Sequence, residues 1–378
     1  MTTLLENPTT GRVAGVDLAR AVAIVGMVAI HVLPGEEAPG AGGVLYGVAH
    51  GRASGLFAVL AGLSLGLATR RAGGQRAAAR ASVVVRGLLV ALVGLVLVDA
   101  GSRIAIVLAY YGVAFLVVLP FLWWPLRRLA LLAGGWLALA PLVSFGLRRT
   151  YALPPQLEQP TLEWLARPGD LIEALVLTGY YPVIGWAGYL LLGLAVSKVD
   201  LRSTTTAVRV LGAGAVTAAA AWTVSALLLG PFGGADALAR RHGPSVLERQ
   251  EHYGTVPTDS GWWLAVAGPH SGTPFDLLHT AGTALAVIGA ACLLPAALTR
   301  FLRPVAAFGS MPLTMYTAHV LALAAWPEDD LSVLALHVGV GVLLATGWRA
   351  VVGRGPLETV VGAAARAVAA PLARTPAR

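Results

Sequence analysis

Charge is what this sequence has least of. Of its 378 residues only 12% are charged and 57% are hydrophobic, and the mean hydropathy is +0.73. A soluble domain carries about 25% charge, so a soluble fold is excluded and an all-α, polytopic membrane protein is indicated. Cysteine is almost absent: Cys292 stands alone in an apolar run. That excludes a disulfide framework and a cysteine metal cluster. Lysine is nearly missing, while Ala, Gly, Val, Leu and Arg abound. This composition suits a GC-rich bacterial genome, and so a multi-pass protein of a bacterial plasma membrane. The net charge of +8 would elsewhere suggest nucleic acid. Here the arginines fall in short loops between apolar segments, so the positive-inside rule accounts for them. No nucleic-acid partner is expected; the partner is the lipid bilayer.

The apolar runs predict about ten spans, each ~17–25 residues as a bilayer core requires: 14–34, 47–69, 82–99, 103–122, 128–147, 171–196, 207–230, 275–298, 304–326 and 331–352. Residues 1–13 and 353–378 read as polar or mixed tails, and 14–352 as one transmembrane domain. Every second connection is basic: 70–81 holds four arginines, and 125–128, 197–209 and 299–303 follow suit. The alternate connections are acidic, mixed or neutral. Both termini then fall in the cytoplasm. The long outer connections 148–170 and 231–274 would cap the membrane core, with Trp262 and Trp263 as interfacial anchors. Asp17 and Arg20 lie inside the first helix, which argues for an uncleaved span rather than a signal peptide. All eight histidines fall on the outer side or in the outer half of the bilayer.

Against this grease the stretch 12–62 stands out. Asp17, Arg20, Ile24, Met27 and His31 sit at offsets 0, 3, 7, 10 and 14, one face of a helix. Asp17 and His31 would lie ~21 Å apart at about 1.5 Å per residue. Ionisable groups inside a span are expensive and point to function. Asp17 and Arg20 can pair as helical neighbours, either as a simple anchor or as part of a phosphate-receiving mouth with Arg70, Arg71, Arg76 and Arg80. His31 is a candidate general base or acyl carrier, or else a histidine satisfied by a carbonyl. His50 and Arg52 open the second span, where Gly51, Gly55, Gly62 and Gly66 form a small-residue packing stripe. His31 and His50 lack a third metal ligand at a familiar spacing, so no metal is expected. In the ninth span Tyr316 and His319 share a face, and Pro312 starts or kinks the helix. Asp276 lies three residues before His279 and could orient it. Tyr110, Tyr111, Tyr180 and Tyr181 are polar-tipped aromatics within spans.

The order Arg12, Asp17, Arg20, Met27, His31, then His50 and a glycine-rich helix ending LFAVLAG, resembles the start of an integral-membrane acyltransferase superfamily. Its members include the heparan-α-glucosaminide N-acetyltransferase catalytic domain, the bacterial domain-of-unknown-function 418 membrane proteins and, more distantly, acyltransferase family 3. LAYYGVAFL, TGYYPVIGWAGYLLLGLAV and FGSMPLTMYTAHV are similar to later pieces of the bacterial group. The resemblance implies acyl transfer, acetyl in particular, from acyl-CoA as co-substrate to a hydroxyl or amine of an extracytoplasmic glycan or lipid-linked sugar. It implies a catalytic histidine at His50, or at His31 by the more distant pattern. Gly-Arg-Ala-Ser follows His50 where the glucosaminide enzymes have Trp-Asn-Gly and Asp. On this reading Arg12, Arg20, Arg70 and Arg71 receive the donor, and Asp17, Arg52, Asp276, His279, Tyr316 and His319 support the site. A homodimer is compatible with this reading. The alternative is a transporter or flippase of an envelope precursor with the histidines as a proton relay. A membrane scaffold is the third, and the buried ionisable stripe counts against it.

Overall fold

The computed structural model describes residues 13–36, 40–70, 72, 75–249, 252–326 and 330–373. Among these there are helices and loops and no strands. In chain order the helices are α1 (Ala14–Val32), α2 (Ala41–Ala49), α3 (Arg52–Thr69), α4 (Arg76–Asp99), α5 (Leu108–Val117), α6 (Leu126–Thr150), α7 (Pro168–Glu173), α8 (Val183–Val196) and α9 (Thr204–Leu229). They continue as α10 (Gly234–His242), α11 (Val246–Arg249), α12 (Pro274–Cys292), α13 (Ala296–Phe301), α14 (Arg303–Gly309), α15 (Pro312–Ala325), α16 (Leu331–Val351) and α17 (Pro356–Ala373). Seven of them (α1, α3, α4, α6, α9, α12 and α16) are long and apolar enough to cross a bilayer. An eighth crossing would be α7 with its π-helical extension plus α8, bent by 61° at the break. The remaining two expected spans contain the shorter apolar helices α5 and α15.

Burial sorts the bundle. In α3, 72% of the span is buried, against 17% in α16 and 22% in α9. The first and third helices therefore form the centre, and α9 and α16 turn apolar side chains such as Val216 and Leu343 outward, as lipid-facing helices do. The predicted glycine stripe is a packing surface. A Cβ at Gly62 would lie 2.2 Å from the Leu190 carbonyl oxygen of α8, so only glycine permits this backbone approach.

Three expected spans are broken. Residues 103–107 precede α5 as irregular chain, and residues 179–182 separate the two halves of the bent pair. Unpaired backbone polar groups are costly in a bilayer, and side chains from distant segments satisfy these. Gln159 accepts from the Ile106 N–H at 2.6 Å and donates to the Ile104 carbonyl at 2.9 Å. Tyr316 and Tyr110 hydroxyls accept from the Val107 and Tyr180 N–H groups, and the Tyr181 hydroxyl donates to the Ala105 carbonyl. The third break, at Ser310 and Met311, separates α14 from α15.

Residues 356–373, within the expected C-terminal tail, form α17, packed along α4. One correction follows in the outer segment. Trp263, expected as an interfacial anchor, is completely buried in a small core that the outer segment makes with Phe145, Leu238, Val246, Val256 and Val266.

Candidate active site

All eight histidines lie toward one end of the bundle, called here the histidine end. Most are linked by ring contacts: His31 to His319 to His337, His50 to His270, and His242 and His252 to Trp263. A cavity of about 1290 Å³ opens among them, walled by His31, His50, Arg52, Arg103, His252 and His270 together with the two irregular breaks. Non-helical backbone at membrane depth is tolerated where it lines such a space.

His50 is placed by a turn. It ends α2, and Gly51, at φ +72°, starts α3 in the left-handed region. A side chain at Gly51 would lie 2.8 Å from Pro269 Cβ, so glycine is needed for both the angle and the contact. Arg52 holds this turn by donating from Nη1 to the carbonyls of Gly47 and His50, each at 3.0 Å. The His50 ring sits between Tyr46 and His270, at centroid distances of 5.0 and 5.7 Å. His270 itself lies flat against Trp186. Burial, with His50, His31 and His252 nearby, lowers the His270 imidazole to about 3. Burial lowers His252 to about 4. Both rings are therefore neutral near pH 7.

His31 meets His319 through ring nitrogens, its Nδ1 3.0 Å from His319 Nε2, with the two rings nearly parallel. The other nitrogen of His319, Nδ1, is buried without a partner. His279 is fully committed. Its Nδ1 donates to the Ala218 carbonyl at 3.0 Å, and its Nε2 accepts from Arg52 Nε at 3.4 Å. It steadies Arg52 and has no lone pair left for a substrate proton. Asp276 does not orient His279. It accepts from the Gly272 N–H and the Thr280 hydroxyl, and so fastens the loop that carries His270.

The opposite, arginine end holds a second cavity of about 320 Å³, lined by Arg20, Arg86, Ser64, Thr69, Glu358 and apolar residues that include Phe57 and Tyr111. Arg20 pairs with Asp17 and donates to Ser64 Oγ at 2.8 Å. Arg70 lies beside the cavity-lining Thr69; Arg12 and Arg71 lie outside the described residues. Arg86 and Glu358 were not singled out in the sequence; the lone charge of Arg86 within an apolar span was a signal that could have found it, whereas Glu358 lies in the apparent tail.

An aromatic partition separates the cavities. Phe57 and Tyr111 stack with centroids 5.8 Å apart, and Tyr316 also packs on Phe57, at 6.4 Å. The Tyr111 hydroxyl donates to the Ser54 carbonyl at 2.7 Å. Trp186 bridges from Tyr111 to Tyr181 and His270, which wall the larger cavity. On α3, Arg52 lines the larger cavity and Phe57 the smaller, a rise of about 7.5 Å at 1.5 Å per residue.

A helical bundle with spans of this length, a polar cavity at one end, a largely apolar one at the other and an aromatic partition between them is a multi-pass membrane protein built around a central site. Residues 12–226 match the catalytic-domain family of heparan-alpha-glucosaminide N-acetyltransferase, and the chain belongs to that family. The family is one of acetyltransferases, and the matched region contains α1 through most of α9, hence His31, His50, Arg20 and, of the partition, Phe57, Tyr111 and Trp186 but not Tyr316. No curated protein and no solved structure matches the chain.

Proposed function

We propose that this protein transfers an acyl group, acetyl in particular, across a bacterial plasma membrane. Acyl-CoA on the arginine side is the donor, and a hydroxyl or amine of an envelope glycan or lipid-linked sugar on the histidine side is the acceptor. One observation carries this reading: two cavities of different character reach neighbouring levels of α3, lined by Arg52 and Phe57 about 7.5 Å apart along the helix, with aromatic side chains between them. A transporter needs a path wide enough for its whole substrate. An acyltransferase needs only the acyl end of the donor to cross.

The small cavity suits a slim, mostly apolar arm, with Arg20 and Arg86 at its polar wall. The large cavity suits a sugar, having polar groups on several sides. His50 takes the proton as the acceptor oxygen or nitrogen bonds to the thioester carbonyl carbon. The carbon–sulfur bond then breaks, and the proton passes to the departing thiolate. His31, backed by His319, is a second imidazole at the same cavity, and Arg52, braced by His279, fixes His50.

The test uses proteoliposomes loaded with a glucosamine or glucose acceptor, with labelled acetyl-CoA supplied at the arginine face. Label should accumulate on the enclosed acceptor, and His50→Ala should reduce the rate by about 10²–10⁴-fold. Full activity in both His50→Ala and His31→Ala would overturn the site. Flux of an unmodified envelope precursor with no acyl transfer would replace the enzyme with the transporter.

A further inference from the structure

Outside both cavities, the arginine end carries a cluster centred on Trp123, in the turn between α5 and α6. The guanidinium carbons of Arg76 and Arg80 lie 5.4 and 5.3 Å from its ring centroid. Lys198, the one lysine of the chain, donates to the carbonyl of Leu122, next to that tryptophan, at 2.7 Å. Burial first, and then the charge of Arg70, lowers the Lys198 ammonium from its ordinary value. Arg70 is thus near enough to be felt.

Four cations gathered here need an explanation. The side-chain ion pairs found among the described residues lie elsewhere, at Asp17, Asp170 and Asp259. Arg76 and Arg80 are one turn apart on α4 and repel each other. Arg76 is also the first residue of that helix, at the end whose partial charge is already positive. The positive-inside rule accounts for single loop arginines. It does not account for two guanidiniums on one indole beside a partly buried ammonium. An anion at this point would relieve every one of these costs.

Position narrows the choice of anion. Thr69 and Ala79 line the small cavity, and their chain neighbours are Arg70 and Arg80, so the cluster is at the rim of that cavity. A space of about 320 Å³ admits a narrow arm and leaves a bulky charged end outside. We propose that Arg70, Arg76, Arg80 and Lys198 around Trp123 form a binding site for the phosphate group of an anionic ligand. Guanidinium forks bind phosphate oxygens bidentately, and the indole offers a flat face to whatever adjoins the phosphates. Two sources share this chemistry: the nucleotide end of the donor and the headgroup of an anionic lipid. Assigning the ligand to the donor rests on the function proposed above; the phosphate site does not.

The test takes the full chain in nanodiscs of neutral phosphatidylcholine. ADP binding is measured by calorimetry, and retention of added phosphatidylglycerol by native mass spectrometry. Neither readout needs turnover, so the result stands even if no transferase activity is found. ADP should bind, more weakly at higher salt. The double variant Arg76→Gln/Arg80→Gln should weaken it by on the order of tenfold or more, and Trp123→Leu should weaken it as well. Retention of phosphatidylglycerol that the double variant loses, without ADP binding, would identify the ligand as a lipid headgroup. Wild-type protein that takes neither ligand, or variants that take both as wild type does, would overturn the site.

Discussion

The imidazoles of His31 and His319 lie nearly parallel, 8° between planes and 5.3 Å between centroids, and meet through their edges, with Nδ1 of one 3.0 Å from Nε2 of the other. Two nitrogens this close share one proton. When it sits on His31, the other His31 nitrogen is free to act as a base. When it sits on His319, His31 must carry its own proton on that other nitrogen. His319 therefore selects the His31 tautomer. His319→Phe keeps a flat ring and removes the partner nitrogen. It should lower kcat by about tenfold with KM nearly unchanged, because a positioning contact acts on the chemical step. His31→Ala in the same assay should cost more. An unchanged kcat and pH profile in His319→Phe would remove His319 from the site.

The partition predicts acyl-chain selectivity. Phe57 is only 7% exposed and packs against both Tyr111 and Tyr316. Phe57→Ala should open the wall between the cavities and destabilise the fold by about 3–5 kcal/mol. Discrimination against one extra methylene in an apolar pocket is worth roughly 10–200-fold. The ratio of butyryl to acetyl transfer should then rise by about tenfold in the variant. The two readouts are separate: a lower melting temperature with an unchanged chain-length ratio would leave the wall structural only.

The histidine end should weaken in acid. His270 is lowered to about 3 in the folded protein, and His252 to about 4. In the unfolded chain both return to about 6.5. Between these values the unfolded state holds more protons, so stability falls as pH drops from about 6.5 toward 3–4 and is intact above 6.5. Melting followed in detergent from pH 7.5 to pH 5 should show this loss. His270→Gln, which cannot titrate, should flatten the slope. Equal slopes in wild type and variant would sink the assignment.

Much of the site was legible because ionisable residues are rare here and therefore informative. Asp17, Arg20 and His31 share one helix, with the acid–arginine pair at one end and the histidine at the other, as their spacing indicated. His50 and Arg52 do line the same cavity as His31. What hid from the sequence depends on tertiary partners. The break before α5 exists because Gln159, Tyr181 and Tyr316 satisfy its backbone, and no local pattern announces that. Asp276 looked like a partner for His279 by helical spacing. The Gly272 N–H and the Ala218 carbonyl claimed them separately. His270, in a loop at φ +56°, had no periodicity to mark it.

The clearest missed contact is Glu358, and it yields a test independent of any reaction. Pro312 begins α15 and has no N–H, but the next two N–H groups, of Leu313 and Thr314, need acceptors. Glu358 of α17 supplies one carboxylate oxygen to both, at 2.8 and 3.2 Å, and its other oxygen accepts from the Thr314 hydroxyl at 2.5 Å. That same hydroxyl accepts from the Leu357 N–H at 3.1 Å. A carboxylate at a helix start also meets the favourable end of the helix dipole. One side chain thus caps α15, secures α17 and closes part of the small cavity. Glu358→Ala leaves two N–H groups unmet, at a cost of about 1–3 kcal/mol. Glu358→Gln keeps an acceptor and should cost less. The alanine variant should melt earlier, and trypsin should cleave after Arg366 faster as α17 detaches. Wild-type melting and an unchanged digestion pattern in Glu358→Ala would show that α17 is held by its packing on α4 alone.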